Sequence, residues 1–301
     1  MEPKIGIPQA LLFYEFGRFW TSFFANLGLP VILSGNTNKL LLDRGVTLAI
    51  DESCLPLKIY LGHVSVLLDK CDFIFVPRIT QYHHNFFLCP KFAGLPDIVR
   101  NAFHVPETRL LTPNIDSPAI IRQRQAVYTL CRQLGVPYWR GEAAYLNALP
   151  ALCQGTKKEL PERAIAVVGH SYLVHDTFFC QSIMNTIQAG GFTVLIPEQL
   201  PVKCFYQEAQ AFSPDIYWQF SAKIAGAVRY FSRQPQVTGL IMVSSFNCGP
   251  DSLLNEYLEH HVLQPSSKPY TIINLDEHTG NTGIVTRIEA FVDLVNWGLR
   301  S

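Results

Sequence analysis

Gly239-Leu240-Ile241-Met242-Val243-Ser244-Ser245-Phe246-Asn247-Cys248-Gly249-Pro250-Asp251 holds an unbroken apolar run followed at once by turn residues and a proline. A short apolar run bounded by such signals is the pattern of a strand buried on both faces. Proline suits the first turn of a helix, where its missing N–H costs nothing. The stretch therefore reads as strand, tight loop, helix, with a cysteine at the joint. Downstream the pattern continues with a strand at Tyr270–Leu275 and a helix at Gly283–Trp297. Upstream, Ala164–Val168 and Thr193–Ile196 read as strands, Asp176–Ala189 and Ile216–Arg233 as helices, and Gly190-Gly191 as a helix stop.

The N-terminal half has the same alternation. Lys4–Ile7, Pro30–Leu33, Asp72–Val76 and Arg109–Leu111 read as strands, and Thr47–Ile50 is strand-like. Leu12, Phe16, Phe19, Phe23 and Leu27 recur at the spacing of one helix face, so residues 9–27 read as a helix with a core of Phe19, Trp20 and Phe23. Further helices are expected at Asn38–Arg44, from Ser53 to Lys70, at Leu95–Phe103 and at Ala119–Leu134, with a polar, aromatic loop over Arg78–Phe92. Strands alternating with helices imply parallel sheets covered on both faces. Leu149–Arg163, with Pro150, Gly155, Lys157, Lys158 and Pro161, reads as the connector. The expectation is an α/β chain of two tandem domains, residues 1–155 carrying Cys54 and Cys89 and residues 156–301 carrying Cys248.

Composition narrows the function. Twenty-four basic residues balance twenty-four acidic ones without blocks of like charge, so no nucleic-acid or membrane partner is expected. The most apolar early stretch, Ala10–Leu33, is broken by Glu15, Arg18, Asn26 and Pro30, unlike a bilayer span. Met1-Glu2-Pro3-Lys4 leads straight into a strand with no secretory pattern, and a cytoplasmic location is expected. Eight cysteines in a reducing compartment are buried thiols, metal ligands or catalytic groups rather than disulfides.

Three cysteines share a local grammar: Pro56 follows Cys54 by two residues, Pro90 follows Cys89 directly, and Pro250 follows Cys248 by two. Each reads as a strand-to-helix junction, and ligands in open parallel sheets bind outside the strands' carboxyl ends. A helix N-terminus offers free N–H groups and partial positive charge, which is expected to lower a thiol's pKa. Cys71, Cys131, Cys153, Cys180 and Cys204 lack this grammar and read as packing residues. No C-x-x-C pair occurs, which argues against a zinc ribbon, a thioredoxin-like site or a ferredoxin run.

Several stretches resemble the activase-related proteins of the 2-hydroxyacyl-CoA dehydratase system, relatives of the dehydratase subunits and of double-cubane-cluster proteins. They are Lys4-Ile5-Gly6-Ile7-Pro8-Gln9-Ala10-Leu11, Asp51-Glu52-Ser53-Cys54-Leu55-Pro56 with Gly62-His63, and Phe75-Val76-Pro77-Arg78. Cys89-Pro90-Lys91-Phe92 with Gly94-Leu95-Pro96-Asp97, Ser244 to Asp251, and Asp276-Glu277-His278-Thr279-Gly280 complete the set. The resemblance implies two Rossmann-like or flavodoxin-like domains with a [4Fe–4S] cluster on Cys54, Cys89 and Cys248 in the cleft between them. It implies one iron left open, and electrons from a separate ATP-hydrolysing activase or a related cluster protein. It also implies assembly as a homo- or heterodimer. The chain itself has no phosphate-binding glycine loop, and three matched cysteines are too few for a double cubane.

The alternatives to a redox component are a zinc site on the same cysteines plus a histidine, and a non-catalytic accessory protein that keeps the fold. His83 and His84 read as a solvated loop pair, and His63 as a satisfied helix residue. Lys58, Arg78 and Lys91 either offset cluster charge or are surface cations. Asp276-Glu277-His278 either does acid–base work or caps the next helix.

Overall fold

The computed structural model describes residues 2–83, 86–117, 120–152, 160–212 and 216–298. The first half runs β1 (Ile5–Ile7), α1 (Phe13–Asn26), β2 (Val31–Leu33), α2 (Lys39–Leu48), α3 (Leu55–Ser65), β3 (Phe73–Phe75) and β4 (Arg78–Ile79). It continues through α4 (Pro90–Ala93), α5 (Leu95–Phe103), β5 (Leu110–Leu111), β6 (Asn114–Ile115), α6 (Ile120–Leu134) and α7 (Tyr138–Ala148). The second half runs β7 (Ala164–Gly169), α8 (Ser171–Val174), α9 (Thr177–Ala189), β8 (Thr193–Leu195), α10 (Val202–Ala209) and α11 (Gln219–Ser232). It closes with β9 (Val237–Ser245), α12 (Gly249–Leu258), β10 (Tyr270–Leu275) and α13 (Asn281–Gly298).

The chain divides into two compact units. One gathers the elements from β1 to α7 together with Tyr217–Gln219; the other gathers those from β7 onward together with Glu52–Pro56, and so with Cys54. Cys153, in the expected connector, lies outside the described residues, as do positions 155 and 156.

In the first unit the four-stranded sheet has the order β2-β1-β3-β5 with every pair parallel, and β4 and β6 form a separate parallel pair. Its core is aromatic. Trp20 lies 4.7 Å from Phe75 and 5.7 Å from Phe23 between ring centroids, and Phe24 packs on Phe75 at 5.3 Å. In the second unit the order is β10-β9-β7-β8, again all parallel. Its central strand β9 is buried over nearly its whole length, which is why it reads as an unbroken apolar run rather than an alternating one. The mixed α/β class with mostly parallel sheets is thus the observed one.

Local differences have local causes. The first helix begins at Phe13 rather than residue 9, because Leu11 turns the chain with φ at +51°. Thr47–Ile50 is not a strand. Asn38 caps α2 by accepting the Leu41 amide, and the helix continues through Thr47 and Leu48. Cys54 therefore stands at a helix-to-helix turn. The loop expected over Arg78–Phe92 contains β4 and the start of α4.

Candidate functional site

The strand order of the second unit reverses between β7 and β9, and the carboxyl ends of such a pair form the crevice where parallel sheets hold ligands. The chain leaves β9 at Ser245, where the Phe246 amide still donates to the Leu275 carbonyl at 2.9 Å. Asn247 then takes a left-handed φ of +60°, which Asn tolerates, and reverses the chain. Cys248 becomes the N-cap of α12, with Pro250 in the first turn. Its carbonyl accepts the Ser252 amide at 3.0 Å. Asn255, on the same helix, donates to the Ser244 hydroxyl at 3.0 Å, and that hydroxyl donates to Asn274 at the end of β10.

Asp251 in this first turn is only 3% exposed. One carboxylate oxygen lies 2.6 Å from His170 Nε2 and the other accepts the Ser245 amide at 3.3 Å. His170 follows directly on β7, at the neighbouring strand end. Gly169 allows this: a Cβ there would lie 2.4 Å from the Val243 carbonyl oxygen, so a side chain would force β7 and β9 apart. The imidazole stacks on Tyr172 at 4.7 Å and meets Phe220 edge-on at 5.5 Å. A carboxylate oxygen so close to Nε2 needs a proton between them, so Nε2–H donates to Asp251. In the neutral ring Nδ1 then keeps its lone pair, and it is buried without a hydrogen-bond partner among the described residues.

Cys248 completes the group. Ligand atoms of His170, Cys248 and Asp251 all lie within 4.8 Å of one another. Burial pushes the Cys248 thiol well above the ordinary range, and the Asp251 carboxylate and the Cys54 thiol push it the same way; the Asp251 amide N–H opposes them. A lowered thiol pKa was expected from the helix N-terminus. Desolvation and a neighbouring carboxylate outweigh it here.

Cys54, half-buried, lies directly before α3 in the segment grouped with the second unit, within electrostatic reach of Cys248. Cys89 belongs to the first unit, where it is the N-cap of α4 and its carbonyl accepts the Phe92 amide at 2.9 Å. All three cysteines thus precede a helix whose first turn holds a proline.

The remaining residues singled out from sequence fall elsewhere. His63 is fully buried, with Nδ1 2.7 Å from the Ser34 hydroxyl and Nε2 3.0 Å from that of Thr37, and burial lowers its pKa to about 4. His83 packs on Phe86 with ring centroids 5.7 Å apart; His84 lies outside the described residues. Lys58 is 3% exposed and so is no surface cation. Arg78 donates to the Ala93 carbonyl and pairs with Asp97 at 2.6 Å, tying β4 to the helices after Cys89, while Lys91 is half-buried. Asp276 accepts the His278 amide at 2.8 Å and the Thr279 hydroxyl at 2.6 Å, the geometry of a turn before α13. Cys71, Cys131 and Cys180 are buried, and Cys204 is half-buried. His170 and the role of Asp251 escaped sequence reasoning. The strand-end rule that selected Cys248 applies equally to the residue after Gly169.

Among the described residues no helix is long and apolar enough to cross a membrane. A family model described as CoA enzyme activase uncharacterised domain matches residues 4–200, a span that includes Cys54, Cys89 and His170, and the chain belongs to that family. No curated protein matches it.

Proposed function

We propose that this member of the CoA enzyme activase family is an iron–sulfur redox component of the 2-hydroxyacyl-CoA dehydratase type. Cys54, Cys89 and Cys248 would hold a [4Fe–4S] cluster with one iron open to an exogenous ligand, and the two halves would be Rossmann-like or flavodoxin-like domains. The carrying observation is that Cys54 and Cys248 lie in one unit, each directly before a helix whose first turn holds a proline. The donor set suits such a group, because thiolates are the ordinary ligands of iron–sulfur centres. When bound, the cluster would supply one-electron chemistry at iron, with a separate ATP-hydrolysing activase as electron donor. The chain's own contribution is orientation: Asp251 donates its amide to the Cys248 sulfur and fixes the His170 ring beside it. Purification of the full chain without oxygen, followed by iron, sulfide and zinc determination, tests the reading. About four irons and four sulfides per chain are expected for a cubane. A chain isolated with zinc and no sulfide would sink it.

One observation favours a second reading, a single zinc-type ion. The His170, Cys248 and Asp251 donor atoms lie within 4.8 Å of one another. Ligands on one tetrahedral zinc stand roughly 3.5 Å apart, given zinc–sulfur and zinc–nitrogen bonds near 2.3 and 2.0 Å. Thiolates on different irons of a cubane stand roughly 6 Å apart. A carboxylate hydrogen-bonded to one ring nitrogen, leaving the other with its lone pair, is also how metal-binding histidines are usually held.

A further inference from the structure

The first unit has a crevice of its own. Its strand order reverses between β1 and β3, so a ligand site is expected outside their carboxyl ends. Two cavities of about 30 and 60 Å³ lie at this end, and Phe16, Trp20 and Ile79 line both of them. Among the described residues no charged side chain lines either one.

Two features point to an occupant. Tyr60 of α3 lines the smaller cavity, is only 3% exposed, and its hydroxyl has no hydrogen-bond partner among the described residues. A buried hydroxyl left unpaired is unfavourable, and such groups call for an explanation. Leu11, in the turn after β1, lines the same cavity with φ at +51°, a conformation that a bulky residue rarely adopts and that gathers at ligand sites.

We propose that this crevice binds a small uncharged carbonyl compound. Its apolar part would fill the space between Phe16, Trp20 and Ile79, and its carbonyl oxygen would accept a hydrogen bond from the Tyr60 hydroxyl. A cavity of about 150 Å³ takes the six carbons of benzene, so cavities of about 30 and 60 Å³ together suit a compound of about four non-hydrogen atoms. A carboxylate or ammonium ligand would enter these walls uncompensated. The site does not depend on any metal reading.

The test compares acetone with isobutene, a close isostere without the acceptor oxygen. Each is titrated into the full chain while the Trp20 indole N–H resonance, assigned with Trp20→Phe, is followed by NMR. Acetone should shift that resonance saturably, with a dissociation constant about tenfold below that of the hydrocarbon, the worth of one hydrogen bond. Tyr60→Phe should abolish this preference. It should leave the unfolding midpoint unchanged or higher, because the hydroxyl has no bond to lose. Ala126→Leu, which fills the larger cavity, should weaken both probes about tenfold or more. The proposal is overturned if neither probe moves the resonance, or if Tyr60→Phe keeps the preference. A lowered midpoint in Tyr60→Phe would also overturn it, by showing that the hydroxyl already serves the fold.

Discussion

Asp251 is asked to satisfy three donors at once: the His170 Nε2–H, the Ser245 amide and the Cys248 thiol. An amide side chain has one accepting oxygen and two N–H groups of its own, so Asp251→Asn leaves buried donors facing each other. Breaking one side of a buried hydrogen-bonded pair costs roughly 2–4 kcal/mol, and urea unfolding of the variant should show a loss of that order. Asp276→Asn, whose carboxylate among the described residues bonds within its own turn, should lose less than about 1 kcal/mol in the same measurement. His63 sets a pH dependence. Its folded pKa of about 4 lies below the ordinary 6.5, because burial disfavours the imidazolium. The unfolded chain therefore binds the proton first as pH falls. Stability from this group is present above about pH 6.5 and is lost on acidification towards pH 4. Between pH 7 and pH 5 the loss should be about 2 kcal/mol. His63→Gln should flatten the urea-midpoint profile across that window; an unchanged profile would mean that His63 is not buried neutral.

Helix α2 crosses α3 through two glycines. A Cβ on Gly45 would lie 1.8 Å from the Lys58 carbonyl oxygen, and one on Gly62 would lie 2.0 Å from that of Leu41. The second unit repeats the device, with Gly226 of α11 against the Phe205 carbonyl of α10 at 1.8 Å. In an exposed helix Gly→Ala stabilises by about 1 kcal/mol. At Gly45 the sign should reverse, with a loss of at least about 2 kcal/mol as the helices are forced apart, readable by chemical denaturation. The same crossing explains where sequence reading ran short. The strand over Gly239–Ser244 was legible because burial on both faces makes β9 a continuous apolar run. Thr47-Leu48-Ala49-Ile50 looks like such a run locally, yet Asn38 had already started a helix whose glycine face is fixed by α3. The short helices α8 and α10 went unread for a different reason: four and eight residues give too little periodicity to show against neighbouring loops. Cys248 was legible from its strand, its loop and its proline. His170 was not, because its partner Asp251 lies 81 positions away and only the adjacency of β7 and β9 brings them together.

Each unit of the molecule places polar or reactive groups at the carboxyl end of its own parallel sheet, and the two metal readings differ in how many units must supply ligands. A single ion on His170 Nδ1 and Cys248, with Asp251 holding the imidazole and Cys54 nearby, draws every donor from the second unit. The three-cysteine cluster also needs Cys89, which belongs to the first. Cys89→Ser therefore separates them without reference to activity. In the cluster reading, anaerobically purified Cys89→Ser should lose most of its iron and sulfide, as should Cys54→Ser and Cys248→Ser, while Cys131→Ser and Cys180→Ser should keep theirs. In the single-ion reading Cys89→Ser should keep its metal, whereas His170→Gln and Cys248→Ser should lose about 10–100-fold or more in affinity. The His170 variant discriminates in the other direction, since the cluster reading gives its imidazole no ligand role. Iron retained in Cys89→Ser and lost in His170→Gln would show that the second unit holds the metal by itself, and the dehydratase-type assignment would then have to be abandoned.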